Sequence, residues 1–152
     1  MVLTENLHIG LPLLVGLGVA ALEAFFVYED ENMSSGREFL KDIWHGALFA
    51  LVGVFISTNV PWLLAQGILP SFVNSILFVD ENGISIVVCI LITLFMLFKM
   101  VAVHAMIRGR GFREKFWHKL LVAILVGFAP YYILMIKPSL EPFMTRLPAW
   151  ML

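Results

Sequence analysis

The 152 residues are 61% hydrophobic and 14% charged, with ten Lys and Arg against eleven Asp and Glu and a mean hydropathy of +0.93. That balance is more apolar and less charged than a water-soluble domain, and a net charge of −1 offers no basic patch for a phosphate backbone, which argues against nucleic acid as a partner. The lone cysteine, Cys89, precludes an internal disulfide, so the expectation is an all-α membrane protein, one integral domain over 1–152 surrounded by lipid bilayer.

Residues 1–8 hold no Lys or Arg and no small-residue cleavage site follows, so the first apolar run reads as a retained helix rather than a signal peptide. It covers about 8–28, roughly 31 Å at 1.5 Å per residue, one bilayer thickness. Within it Gly16, Ala20 and Ala24 recur every fourth residue, a stripe suited to close helix approach. The run ends in Glu29, Asp30 and Glu31. Ser34 and Ser35 are cap candidates for a second helix that begins near Gly36 and carries Glu38, Lys41 and Asp42 before turning apolar at Trp44.

From Gly46 to Val79 there are 34 residues without a charge, too many for one span and too few for two with a loop. The breaks at Asn59, Pro61, Gly67 and Pro70 divide this stretch into a second span at about 44–59 and a short re-entrant or interfacial helical hairpin that needs protein cover. Asp80-Glu81-Asn82-Gly83 is a turn by composition, and a third span follows at about 84–106. After a glycine-containing basic loop, a fourth span runs over about 116–136, kinked at Pro130. The proline-rich tail beyond it reads as short and interfacial. The expected fold is therefore a four-transmembrane-helix bundle.

Positive charges in short loops set orientation. One side holds Arg37, Lys41, Arg108, Arg110, Arg113, Lys115 and Lys119, and the other only Lys137 and Arg146, so both termini are expected on the non-cytoplasmic side. The two inner loops are oppositely charged, with five acids and two bases over 29–43 and four bases and one acid over 107–115, and can neutralise each other. Trp44, Trp62, Trp117, Trp150 and Tyr28 read as interfacial anchors.

Two constellations are candidates for chemistry. Glu23 and Lys99 lie roughly 7 to 10 Å inside the inner ends of their spans by helix rise, close enough in depth to meet as an intramembrane charge pair. The reading is either a structural ion pair or a proton or ion step at Glu23 with Lys99 as counter-charge. His45, His104 and His118 fall near helix ends on the inner side, with Asp42 three residues before His45 and Glu114 four before His118, positions that share helix faces. Imidazole with carboxylate suits a transition metal. No metal signature spacing is present, headgroup-level polar residues are the plain alternative, and bis-histidine haem is disfavoured because its ligands would sit at the rim.

Three functions follow as expectations. A non-catalytic or accessory subunit of a larger membrane complex, partnered by other membrane subunits or by copies of itself, fits a chain with little outside the membrane and no nucleophile motif. A metal- or haem-binding membrane protein and an oligomeric ion or proton pathway are the alternatives.

Overall fold

A computed structural model describes residues 7–30, 36–67, 76–107, 115–144 and 146, without the side chains of 36–42, 103–107, 140, 141, 143 and 144. Among the described residues the fold is helical throughout. In chain order it comprises α1 (Gly10–Asp30), α2 (Gly36–Thr58), the single turn-and-a-half α3 (Val60–Ala65), α4 (Ile86–Ile107), α5 (Phe116–Gly127) and α6 (Ala129–Met144). The one extended element is an isolated antiparallel bridge between Val79 and Ser85, closed around a turn in which Asp80 Oδ1 accepts the N–H groups of Asn82 and Ile84. Ser34 and Ser35, the Pro70 break and Glu114 lie outside the described residues.

Helices α1, α2, α4 and α5 pack as a ring in which each touches its neighbours, and α2 and α5 also meet across the middle. Small residues set those approaches. A Cβ on Gly16 would stand 2.9 Å from Leu51 Cδ2, and one on Gly53 or Gly127 would collide with Val126 or Thr93, so the helix backbones lie closer than any larger side chain permits. Of the Gly16, Ala20, Ala24 stripe, Gly16 meets α2 at Leu51, Ala20 is buried in the core and Ala24 is half-buried.

The core is built from Ala50, Val54, Met96, Val122, Ala123, Val126, Ala129 and Ile133. Many large apolar side chains face outward: Phe98 and Trp117 are each 73% exposed and Met135 79% exposed, with Phe25, Trp44, Leu91, Leu94 and Phe95 also exposed. Buried beside the small apolar residues are Glu23, Ser57, Thr58, Asn59, Ser85 and Lys119. Helix α1 is long and apolar enough to cross a membrane, and α5 with the first part of α6 would be if the pair counted as one span; the apolar parts Ile43–Thr58 and Ile86–Ala102 are shorter.

Where a fourth helix kinked at Pro130 is expected, the structure breaks the helix at Phe128 and turns the chain by 70°. The cause is local. Pro130 has no N–H to give the carbonyl of Val126; Ser57 Oγ on α2 shares its proton between that carbonyl (3.3 Å) and Val54 O (3.1 Å). Tyr132 Oη donates to Leu125 O at 2.7 Å. Orphan carbonyls met in this way stabilise a fixed corner. Beyond it α6 continues through Pro138 and Pro142, rather than ending at the first of them, and lies against α1 and α2.

At the same end, Asn59 ties α2 to the start of α1. Its Oδ1 accepts His8 N–H at 2.7 Å and its Nδ2 donates to His8 O at 2.9 Å, a two-point clamp on one residue's backbone. Burial, and then the charge of Lys137, holds the His8 imidazole below its ordinary protonation range.

Candidate functional site

The ionisable side chains gather toward the opposite end, where α1 finishes and α5 begins. Glu23, Phe26 and Asp30 follow one another at spacings of three and four, which puts them on one face of α1. That face is turned inward: the Glu23 residue is 8% exposed, and the Asp30 side chain 1%.

Gly46 makes room for Glu23. A Cβ there would stand 2.7 Å from Glu23 Oε2 and closer still to Oε1 and Cδ, so the carboxylate rests directly on the α2 backbone. From the other side of this turn, Lys99 Nζ on α4 reaches His45 O at 3.4 Å and lies 3.1 Å above the centre of the Phe49 ring, a cation–π position. The two ionisable residues therefore converge on one turn of α2, residues 45–49, from different helices.

One turn beyond Phe26, Asp30 sits at the head of α5. Its Oδ2 accepts the Lys115 backbone N–H at 2.9 Å and lies 2.7 Å from His118 Nδ1, and Lys115 Nζ is 3.3 Å from Oδ1 and 3.4 Å from Glu29 Oε1. Lys115, the residue that opens α5, makes no side-chain cap of its own, so a carboxylate from α1 supplies the anion that the helix N-terminus favours. The bonds to Asp30, and then Glu29, raise Lys115 above its ordinary range. An ionised carboxylate only accepts, so His118 Nδ1 is the donor. The His118 ring stacks on Phe26 at 4.1 Å and 12°. Lys119, the next residue, is 6% exposed. The acidic end of α1 thus meets the basic residue that opens α5, through Glu29, Asp30 and Lys115.

Of the five residues proposed for a metal, His118 is taken up by Asp30 and Phe26, and His45 is exposed on α2 with its carbonyl toward Lys99. Asp42 and His104 have described backbone but not side chains, and Glu114 lies outside the described residues. Among the described residues no three His, Cys, Asp or Glu converge as a ligand set. Sequence reasoning missed Asp30 as the partner of His118, and Gly46 as the seat of Glu23. For Asp30 the signal was its seven-residue, two-turn register with Glu23, which Glu29 beside it does not share.

Chemically, the arrangement offers a buried carboxylate and a half-buried ammonium on one turn of α2, and an imidazole held by a carboxylate. No protein-family model matches the chain, and no curated protein or solved structure matches it either.

Proposed function

We propose that this chain is a multi-pass integral membrane protein, a four-span bundle with both termini on the non-cytoplasmic side, acting as a non-catalytic subunit that packs against other proteins within a membrane assembly. The observation that carries the reading is the set of large apolar side chains left outside, Phe25, Trp44, Leu91, Leu94, Phe98 and Met135 among them, around a core in which Gly, Ala, Val and hydrogen-bonded polar groups sit beside Met96 and Ile133. In water large apolar residues drive burial; in hydrocarbon they gain nothing by it, and small residues and internal polar bonds hold helices together. Tyr28 and Trp117, exposed near helix ends, and Trp44, exposed where the apolar part of α2 begins, suit an aromatic belt at the headgroups.

The face of α4 bearing Ile90, Leu91, Leu94, Phe95 and Phe98 is exposed, and it supports a neighbouring membrane subunit as partner. The test is purification of the tagged full chain from its native membrane in mild detergent, with photo-crosslinkers at Leu91 and Leu94. Defined crosslinks to other membrane subunits support the reading. Release of the chain by alkaline carbonate, or its isolation as an uncrosslinked monomer, overturns it.

A proton or ion step at Glu23 is the second reading, and the seating of its carboxylate against Gly46, facing the Lys99 charge, favours it. A purely structural pair at this depth costs desolvation that an apolar pair of equal volume avoids, whereas a working carboxylate has a reason to be there. Loss of flux in Glu23→Gln proteoliposomes supports this reading; unchanged flux removes it.

A further inference from the structure

We infer that the furrow between α2 and α4 is a binding site for an anionic phospholipid, with the Lys99 ammonium on the headgroup phosphate and an acyl chain along the apolar walls beneath it. The inference rests on the reading of the chain as an integral membrane protein.

The head of the furrow is a cation held by uncharged groups. Lys99 Nζ reaches His45 O at 3.4 Å and lies 3.1 Å from the centre of the Phe49 ring, two partners that stabilise positive charge and neutralise none of it. The carbonyl bond is long, and an ammonium has three N–H groups to place. Among the described residues the ion pairs join Lys115 and His118 to Glu29 and Asp30, and Lys99 is in none of them. His45 follows the exposed Trp44, where the apolar part of α2 begins. The ammonium is therefore held at the level of the headgroups.

Below this head the seam between the two helices is apolar and open to the outside. Phe49, Val52 and Ile56, at spacings of three and four, share one face of α2, and Leu91, Phe95 and Lys99, at spacings of four, share one of α4. Both faces border the same seam, since the Phe49 and Phe95 ring centres are 6.4 Å apart and a Cβ on Gly53 would stand 3.5 Å from Ile92 Cγ2. Val52, Ile56, Leu91 and Phe95 are nevertheless exposed, so the seam is closed at its floor and open at its rim. From Lys99 to Leu91 it runs about 12 Å by helix rise, most of the ~15 Å of hydrocarbon in one leaflet.

Charge selects the lipid. The phosphate of an anionic headgroup supplies the counter-ion to Lys99 through a charge-assisted hydrogen bond, whereas a zwitterionic headgroup brings its own cation up to the ammonium.

The experiment is native mass spectrometry of the full chain in mild detergent, titrated with equal amounts of phosphatidylglycerol and phosphatidylcholine carrying the same acyl chains. The parent chain is expected to retain phosphatidylglycerol about fivefold over phosphatidylcholine, the scale of one solvent-accessible ion pair. Lys99→Gln should erase that preference and Lys99→Arg should keep it, with helicity unchanged by circular dichroism. Val52→Trp fills the furrow without altering its charge and should lower retention of both lipids. A parent chain without preference, or a Lys99→Gln chain that keeps it, overturns the inference; so does displacement of the lipid by excess inorganic phosphate, which would show a headgroup site without a furrow. If the chain resists alkaline carbonate and shows no preference, the lipid site alone is wrong. If carbonate releases it from its native membrane, the membrane reading falls as well.

Discussion

Adding one methyl group at Gly127 is expected to destabilise the protein where the same addition at Gly18 stabilises it. A Cβ on Gly127 would lie 2.5 Å from Cys89 O and 2.9 Å from Thr93 N, and nearer still to Thr93 Oγ1. Two of those atoms belong to the α4 backbone and cannot rotate aside, so α4 and α5 must part. Overpacking of this kind costs about 1–3 kcal/mol, and widening a packed contact by about 0.5–1 Å forfeits a quarter to a half of its dispersion energy. Helix propensity returns at most about 1 kcal/mol, less at a helix end. The net expectation for Gly127→Ala is a loss of about 2 kcal/mol. Gly18 has nothing within 4 Å of its added Cβ, and Gly18→Ala should gain up to about 1 kcal/mol. Reversible unfolding of the detergent-solubilised chain, followed by circular dichroism across an SDS titration, measures both. A Gly127→Ala variant as stable as Gly18→Ala would refute the close crossing of α4 and α5.

Other outcomes follow from the hydrogen bonds. Asn59→Ala strips both partners from the His8 backbone and should cost about 2 kcal/mol in the same titration, with Asn59→Asp recovering only the bond to His8 N–H. Ser57→Ala should cost about 1 kcal/mol by abandoning Val126 O; combined with Pro130→Ala, which restores a backbone donor, the loss should shrink, and strict additivity in the double-mutant cycle would contradict the account of the corner. Asp30→Ala leaves the Lys115 N–H and His118 without their acceptor and should cost about 1–3 kcal/mol, whereas Lys115→Ala, at a solvent-exposed ammonium, should leave stability unchanged. Because folding holds His8 below its ordinary value of 6.5, the unfolded chain takes up its proton first as pH falls. Stability should therefore decline as pH falls from 6.5, until the folded imidazole itself protonates, and unfolding midpoints of His8→Gln should lack that share of the decline.

The sequence made the helical character plain, since uncharged runs near bilayer length separated by Gly, Pro and charge clusters leave little else to form. Helix rise alone also brought Glu23 and Lys99 to comparable depth. It could not say that both would settle on the turn at 45–49, because periodicity fixes which residues share a face and leaves open which faces meet. The Asp30–His118 bond has the same origin. Each residue was visible as a charge near a helix end, but their pairing depends on the rotation of α1 against α5, which the Phe26 stack and the head of α5 decide together. Pro130 announced a bend without its size, for the 70° corner needs Ser57 and Tyr132, from two other turns, to take the freed carbonyls.

What hid the inward faces was the choice of property. Helices α1 and α4 are apolar on nearly every side, so hydrophobicity has little contrast around them. Side-chain size does have contrast. On α1 the small residues Gly16 and Ala20 mark the buried face, on α2 Gly46, Ala50 and Gly53, and on α5 Ala123 and Gly127. The rule also reaches α4, where the small residues Cys89 and Thr93, one turn apart, are those that Gly127 meets, and Leu91, Leu94 and Phe98 are turned away. Size selects the inward face because only a short side chain lets two backbones approach until a hydroxyl, an amide or a carboxylate on one reaches the other. The same narrow gaps that exclude large residues are therefore where Ser57 finds Val126 and Glu23 finds Gly46, and packing and candidate chemistry share one cause.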